Sequence, residues 1–462
     1  MTRPSNAELR DIGRRARQQS PRGSHHGFRP GTDRPDPLDV LAAQDVGRVP
    51  GLLPLRYGRM SASPFAFFRG QAAVMASDLA TTPATGIDTQ LCGDAHLANF
   101  GTFATPDGRV LFGINDFDET LPGPFEWDLK RLGASIAVAA RHRDLRASAG
   151  VTAVQAAMDT YRDAMRDLAD ADVMAVWSAN VDRIGLIRTV DEEVARGQTP
   201  PRVAIATRAL FDRAVPHTSA HTAERLTEVV DGRIQLREDP PALSGAVLPI
   251  DRRSLAAAFL ARYRQSLPDH GQRLLSRFEV VDVARRVVGI GNLGGRSFVI
   301  LLHGRDEEDP LILQVTEAGP SVLEAHLPPS PHRRSGRRVV EGHRLLQPTG
   351  EVLLGSLTAV GPDGVERDLH VRRFQVPDTG VDLDSISAEG LVAYARLCGW
   401  LLANAHARGG EPATIAGYLG TSDRFTEALT AFATDYAALN EQDHDRLLSA
   451  IATGRIVADR PG

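Results

Sequence analysis

Lysine is almost missing from this sequence: of its 53 basic residues only Lys130 is a lysine. Schiff-base chemistry and a phosphate-binding lysine are therefore excluded everywhere else, and any other anion clamp must use arginine or backbone N–H groups. Cysteine is scarce too. Cys92 and Cys398 are the two in the chain; they make neither a disulfide scaffold nor a cysteine-rich zinc site, and they predict a reducing, cytoplasmic setting. Apolar runs stay far below the ~20 residues of a membrane span, and the N-terminus lacks the apolar stretch of a secretory leader. There is no positive excess: 53 Lys+Arg stand against 58 Asp+Glu, a formal net charge of −5. That argues against a general nucleic-acid binder. No internal repeat is found.

What is present is ordinary globular composition, 42% hydrophobic and 24% charged over 462 residues, enough for a large core and more than one sub-domain. Residues 1–36 are rich in Arg, Ser, Pro and Gly and read as a disordered basic arm. Residues 37–278 carry two strand-then-loop units and then helical patterns, broken at Pro200-Pro201 and at Glu238-Asp239-Pro240-Pro241. Residues 279–376 change to strand texture: strand, Gly-rich turn, strand, a third strand at Leu311–Glu317, a short amphipathic helix, and a hairpin around Gly361-Pro362-Asp363-Gly364. Residues 377–462 are helical again.

The chemistry concentrates in four segments. Gly93-Asp94-Ala95-His96-Leu97-Ala98-Asn99-Phe100 sets a carboxylate, an imidazole and an amide in a loop after a buried strand. Ile114-Asn115-Asp116-Phe117-Asp118-Glu119 follows, and Gly123-Pro124 with Trp127-Asp128-Leu129 opens a helix. Phosphoryl transfer needs this kind of set: a carboxylate near the attacking hydroxyl and oxygen ligands for Mg²⁺. The bland readings stay open beside it, an Asp-capped turn and a solvated acidic loop. Gly289-Ile290-Gly291-Asn292-Leu293-Gly294-Gly295-Arg296 lies between two strands rather than before a long helix. This disfavours a dinucleotide-binding unit and fits a hairpin over phosphates, or a plain Gly-rich hairpin.

The first three elements resemble the active site of aminoglycoside-phosphotransferase-like and choline-kinase-like enzymes, with Cys92 where a His is usual. The resemblance implies Asp94 as catalytic base, Asn99 and Asp116 as Mg²⁺ ligands, and Asp128 as support; His96 is counted with Asp94 among the catalytic residues, expected to order that loop by hydrogen bonding rather than to ligate a metal. It implies ATP held by Gly289, Gly291 and Gly294. Kinases place a lysine on the third strand and a glutamate on the next helix; here Thr316 fills the first slot, Arg296 is the substitute cation, and Glu341, or less readily Glu324, is the acid. Arg56, Arg59 and Arg69 are further candidates for an anion, or for ion pairs within the fold.

These parts run in the wrong order for an ordinary kinase, since the loop near 94 precedes the hairpin near 291, and LCGWLLANAHARGG resembles the helix that normally enters the catalytic loop. The expected fold is therefore α+β, a protein-kinase-like, two-lobed, circularly permuted arrangement with a helical large lobe and a small antiparallel-sheet lobe. The chain from YGRMSASPFAFFRG to IAGYLGTSD also resembles an uncharacterised bacterial family, domain-of-unknown-function family 2252, whose pattern usually has Lys at Thr316, and Ser and Thr at Asn292 and Gly295. Three functions stay open: a phosphotransferase using ATP and Mg²⁺ on a small-molecule hydroxyl, a non-catalytic nucleotide-binding protein, and a nucleotidyl (adenylyl) transferase. Nucleotide and small molecule are the expected partners, with neither nucleic acid nor membrane.

Overall fold

The computed structural model describes residues 4–459 apart from 198, 215–218, 232, 240–241, 245–251, 288, 307, 362 and 375–379. Pro240-Pro241, Pro362 and the expected boundary at 376 thus lie outside the described residues. The N-terminal arm departs from the disorder expected for 1–36. Ser5 and Glu8 form a capping box that starts helix α1, Asn6–Gln19. Leu9 is buried with Ala169 and Ala413, and Arg34 reaches in to pair with Asp78 at 2.7 Å and Asp443 at 2.6 Å. Composition suggested a solvated tail because it weighs every arginine as exposed. Here the decisive arginine finds two buried carboxylates.

Helix α2, Pro64–Gly70, capped by Ser63, precedes the loop region. Strand β1, Asp88–Leu91, leads to β2, Phe100–Ala104, and β3, Val110–Ile114; β4, Leu121–Pro124, returns antiparallel to β1. Two long helices follow, α3 at Glu126–His142 and α4 at Ala147–Asp170. The α3 helix is buried from Glu126 to Ala140 on every side; Leu132–Ala140 is small and apolar but for Ser135, and the buried Glu126, Asp128, Lys130 and Arg131 before it each meet a hydrogen-bond partner.

A six-stranded antiparallel sheet forms the second body. Its strands are β5 (Leu243–Ser244), β6 (Glu279–Arg286), β7 (Ser297–His303), β8 (Pro310–Glu317), β9 (Gly355–Val360) and β10 (Glu366–Arg373). The spatial order is β9-β10-β8-β7-β6-β5. Helix α5, Arg252–Arg264, covers one face; its Leu260 and Tyr263 pack on Ile300, Leu313 and Val371. The expected start at 279 therefore cuts through this unit, because β5 and α5 belong to it. Helix α6, Ser335–Leu346, sits between β8 and β9 in the chain. On the other face, Val299, Leu301 and Ile312 are buried in a second cluster, but the row Arg286, Ser297, Thr316, His370 crosses four strands as polar residues. Period-2 alternation explains the split: β8 turns Leu311, Leu313 and Val315 one way, and Ile312, Gln314 and Thr316 the other.

The C-terminal helices α7, Ala388–Gly409, α8, Pro412–Leu419, and α9, Arg424–Ala452 share one core with α3 and α4, including Leu132, Ala157, Cys398, Leu402 and Phe432. Gly399 is where α7 crosses α4; a Cβ there would lie 2.3 Å from the carbonyl of Ala157. The chain is thus an α+β protein whose helical body draws on segments before and after the sheet. Among the described residues no helix is long and apolar enough to cross a membrane.

Candidate functional site

The loop after β1 is held from below. Asp128, in the first turn of α3, accepts hydrogen bonds from the backbone N–H of Cys92 at 2.8 Å and of Gly93 at 3.1 Å. Its Oδ2 also lies 3.2 Å from Nε2 of His406, whose Nδ1 is 2.8 Å from the Tyr161 hydroxyl. A carboxylate at a helix N-terminus is favoured by the helix dipole, and here it joins α3, α7, α4 and the loop in one buried chain. Gly93 has φ +87°, and a Cβ on it would lie 2.1 Å from the carbonyl oxygen of Glu119. Only glycine satisfies both demands.

Asp94 follows. Its Oδ1 accepts from Arg131 Nε at 2.7 Å, and Arg131 also donates to the carbonyl of Phe68 at 2.8 Å. Asn99 turns its amide nitrogen onto the Asp94 carbonyl at 2.7 Å, so its side-chain oxygen is directed away from that bond. His96 is buried, and its backbone donates to Asp94 and accepts from Asn99. Burial, opposed by Asp94, pulls its imidazole down to about 3. A neutral ring 3.6 Å from Asp94 fits the loop-ordering role better than proton transfer.

The second loop lies alongside, because Phe100 pairs with Ile114 and the Asn115 N–H donates to the Asn99 carbonyl at 2.9 Å. This registration brings Asp116 beside Asp94 and Asn99. Burial and the neighbouring Asp118 push the Asp116 carboxyl above the usual carboxylate range; burial also raises Asp118 and Glu119. Arg372 of β10 opposes this for Asp116 and Asp118 and donates to the Asn115 carbonyl at 3.1 Å. The three acids diverge. Asp116 caps the Asp118 N–H at 3.1 Å, Asp118 accepts from Asn292 and lies 3.6 Å from His370, and Glu119 accepts from the Val322 N–H at 2.7 Å.

The Gly-rich turn docks here through that Asn292–Asp118 hydrogen bond. Arg59 donates to the Gly289 carbonyl at 2.9 Å, Arg48 to those of Gly291 and Leu293, and the Val49 N–H to Gly294 at 2.7 Å. Other candidates are not brought to the cluster. Arg296 pairs with Glu317 at 3.1 Å and lies 3.7 Å from Asp363. Glu341 pairs with Arg344 of its own helix at 3.2 Å. The helix instead sends buried Arg338 toward the second loop, where it donates to the carbonyls of Asp118 at 2.9 Å and Thr120 at 2.7 Å and lies 3.5 Å from Glu324. The single lysine is elsewhere: Lys130 is buried, donates to Thr82 Oγ1 at 2.7 Å and lies under the Phe432 ring.

A family model described as an uncharacterized protein conserved in bacteria (DUF2252) matches residues 48–450. The chain belongs to this family. No curated protein and no solved structure matches it. In this DUF2252 chain the matched span takes in both loops, the Gly-rich turn and the sheet, and leaves out α1 and Arg34.

Among the described residues no three His, Cys, Asp or Glu side chains gather as a metal cage. Asn99 and Asp116 lie on the two loops joined by the Asn115 N–H to Asn99 carbonyl hydrogen bond, and they offer a sparser set, one amide oxygen and one carboxylate. That donor set fits Mg²⁺, which usually takes one or two protein oxygens and fills the rest of its octahedron with water and phosphate. The pattern reading missed Arg131, Arg338, His370 and Arg372. Arg131 sits one turn beyond Asp128 on α3, whereas Arg338, His370 and Arg372 reach the cluster from a helix and a strand distant in the chain, so nothing in their local sequence marks them.

Proposed function

We propose that this protein is an ATP- and Mg²⁺-dependent phosphotransferase acting on a hydroxyl group of a small molecule. The observation that carries the reading is the convergence of Asp94, Asn99 and Asp116 from two loops, with a Gly-rich turn joined to the same loops through Asn292. Asp94 orients the acceptor hydroxyl and takes its proton. Its pairing with Arg131 fixes its direction, which suits a loose phosphoryl-transfer transition state that needs positioning of the hydroxyl more than proton abstraction. Asn99 and Asp116 hold Mg²⁺, which supplies neutralisation of phosphate charge when bound. Gly289, Gly291 and Gly294 let backbone approach the nucleotide. Arg372, rather than Arg296, supplies a cation near the Thr316 slot, because its strand pairs with β8 there and its charge acts on Asp116 and Asp118.

The kinase-like, permuted arrangement belongs to the same proposal. A Gly-rich turn between two strands, a third strand, a helix and a closing hairpin follow in the order that the resemblance implies. The end of α7 abuts β1, where Thr89 Oγ1 donates to the His406 carbonyl at 3.0 Å, as a helix leading into the catalytic loop would. The test is thermal stabilisation by ATP with and without Mg²⁺, followed by transfer of γ- against α-labelled phosphate to a metabolite pool. Transfer of the γ label supports the proposal. Transfer of the α label assigns adenylyl transfer instead, and Mg²⁺–ATP binding without transfer assigns a binding protein.

A further inference from the structure

The three arginines of the segment before the first loop meet different fates. Arg56 is fully buried and spent on Asp45 at 3.3 Å and the Gly70 carbonyl at 3.1 Å. Arg59 holds the Gly289 carbonyl. The side chain of Arg69, at the end of α2, makes no hydrogen bond or ion pair with any described residue, and its Nε is buried without a partner. It is nevertheless no stray surface cation. Burial lowers its affinity for its proton, and the charges acting on it are those of Asp94 and Asp116. Its backbone carbonyl faces the Gly-rich turn, where a Cβ on Gly291 would come within 3.3 Å of it. The preceding carbonyl, that of Phe68, is tied to Arg131, which itself holds Asp94. A half-buried guanidinium thus stands at the junction of both loops and the Gly-rich turn, with no partner among the described residues.

We propose that Arg69 is an anion-binding residue of this site and contacts the terminal phosphate group, a function for which the lysine slot at Thr316 provides no charge. The identity of the anion rests on the phosphotransferase reading; the existence of the anion site does not. Desolvating a cation without a partner is costly, and a phosphate oxygen pair matches the guanidinium fork. A guanidinium aimed at the transferring group also stabilises charge there without lysine.

The experiment uses the full chain as wild type, Arg69→Gln, Arg69→Lys and Arg305→Gln, the last at a surface arginine. Binding of inorganic tripolyphosphate and of Mg²⁺–ATP is measured by calorimetry at fixed ionic strength, with melting of the ligand-free proteins. Tripolyphosphate should bind wild type, weaken at least about tenfold in Arg69→Gln and less in Arg69→Lys, and change no more than about twofold in Arg305→Gln. Ligand-free Arg69→Gln should melt no lower than wild type, because an unpaired charge has been removed. A structural arginine would give a lower melting temperature, and that result overturns the proposal. Equal tripolyphosphate affinity in wild type and Arg69→Gln, or none in wild type, also overturns it. If Mg²⁺–ATP binds both proteins equally, Arg69 is not its ligand while the phosphotransferase reading stands. If tripolyphosphate binding depends on Arg69 but Mg²⁺–ATP neither binds nor competes, the anion site stands and that reading falls.

Discussion

Replacing Gly93 by alanine tests whether the loop bearing Asp94 is fixed by backbone contact. The φ of +87° costs an L-residue about 1–2 kcal/mol. The added methyl also meets the Glu119 carbonyl oxygen at 2.1 Å and its carbon at 2.5 Å. Glu119 cannot easily retreat. Its carbonyl accepts from Ser321 Oγ at 2.8 Å, and Arg338 grips the carbonyls of Asp118 and Thr120 on either side. Overpacking of this kind costs about 1–3 kcal/mol, so the two effects together should remove about 2–5 kcal/mol. Gly86 is the control: its φ is +67° and nothing lies within 4 Å of its missing Cβ, so Gly86→Ala carries the conformational cost alone. Urea unfolding of both variants isolates the contact, and Mg²⁺–ATP stabilisation reports whether Asp94 and Asn99 have moved. Equal loss of stability in Gly93→Ala and Gly86→Ala would refute the steric argument.

Asp94→Asn should lower turnover by about 10²-fold or more while leaving ATP affinity nearly constant; steady-state kinetics beside calorimetry checks this, and a parallel loss of both would make Asp94 a nucleotide ligand. Asp116 has a folded-state pKa raised above its unfolded value. Its contribution to stability is therefore intact below about pH 4 and is lost as pH rises through the folded value. Asp116→Asn should accordingly match wild type near pH 4 and exceed it at pH 8, by on the order of 1–2 kcal/mol given its partial exposure, while losing Mg²⁺-dependent nucleotide binding; melting across that pH range reads the sign. Arg34→Ala leaves Asp78 and Asp443, each with only 3% of its side chain exposed, buried without their cation. It should cost about 3–5 kcal/mol, seen as a lowered unfolding midpoint, whereas a solvated arm would tolerate it.

Much of the local structure is legible in the residues. Alternation in LILQVTE marks β8 as a strand with one fully apolar face, and the Gly-rich run between two strands gives the turn. The run of small and apolar residues along Leu132–Ala140, broken only by Ser135, marks a helix segment buried all round. Asp94, Asn99, Asp116 and Asp128 stand out because their spacing follows from short connections: an eight-residue loop between β1 and β2 and a six-residue loop between β3 and β4 confine them before any distant contact forms. The helix α1 was hidden by composition, because capping by Ser5 and Glu8 and one buried ion pair outweigh an arginine-rich average.

The sequence by itself determined the loops, their carboxylates and the absence of lysine from them, since these depend on residue identity and on spacing along a few residues. The tertiary structure alone decided which arginine does what. All 52 arginines carry the same charge and much the same local signal, so their roles depend on the partner met at the end of a long side chain. Arg296 meets Glu317, Arg131 meets Asp94, Arg338 meets three backbone carbonyls, and the Arg69 side chain meets no hydrogen-bond partner among the described residues. Those encounters join residues from 19 to 220 positions apart, and no periodicity records them.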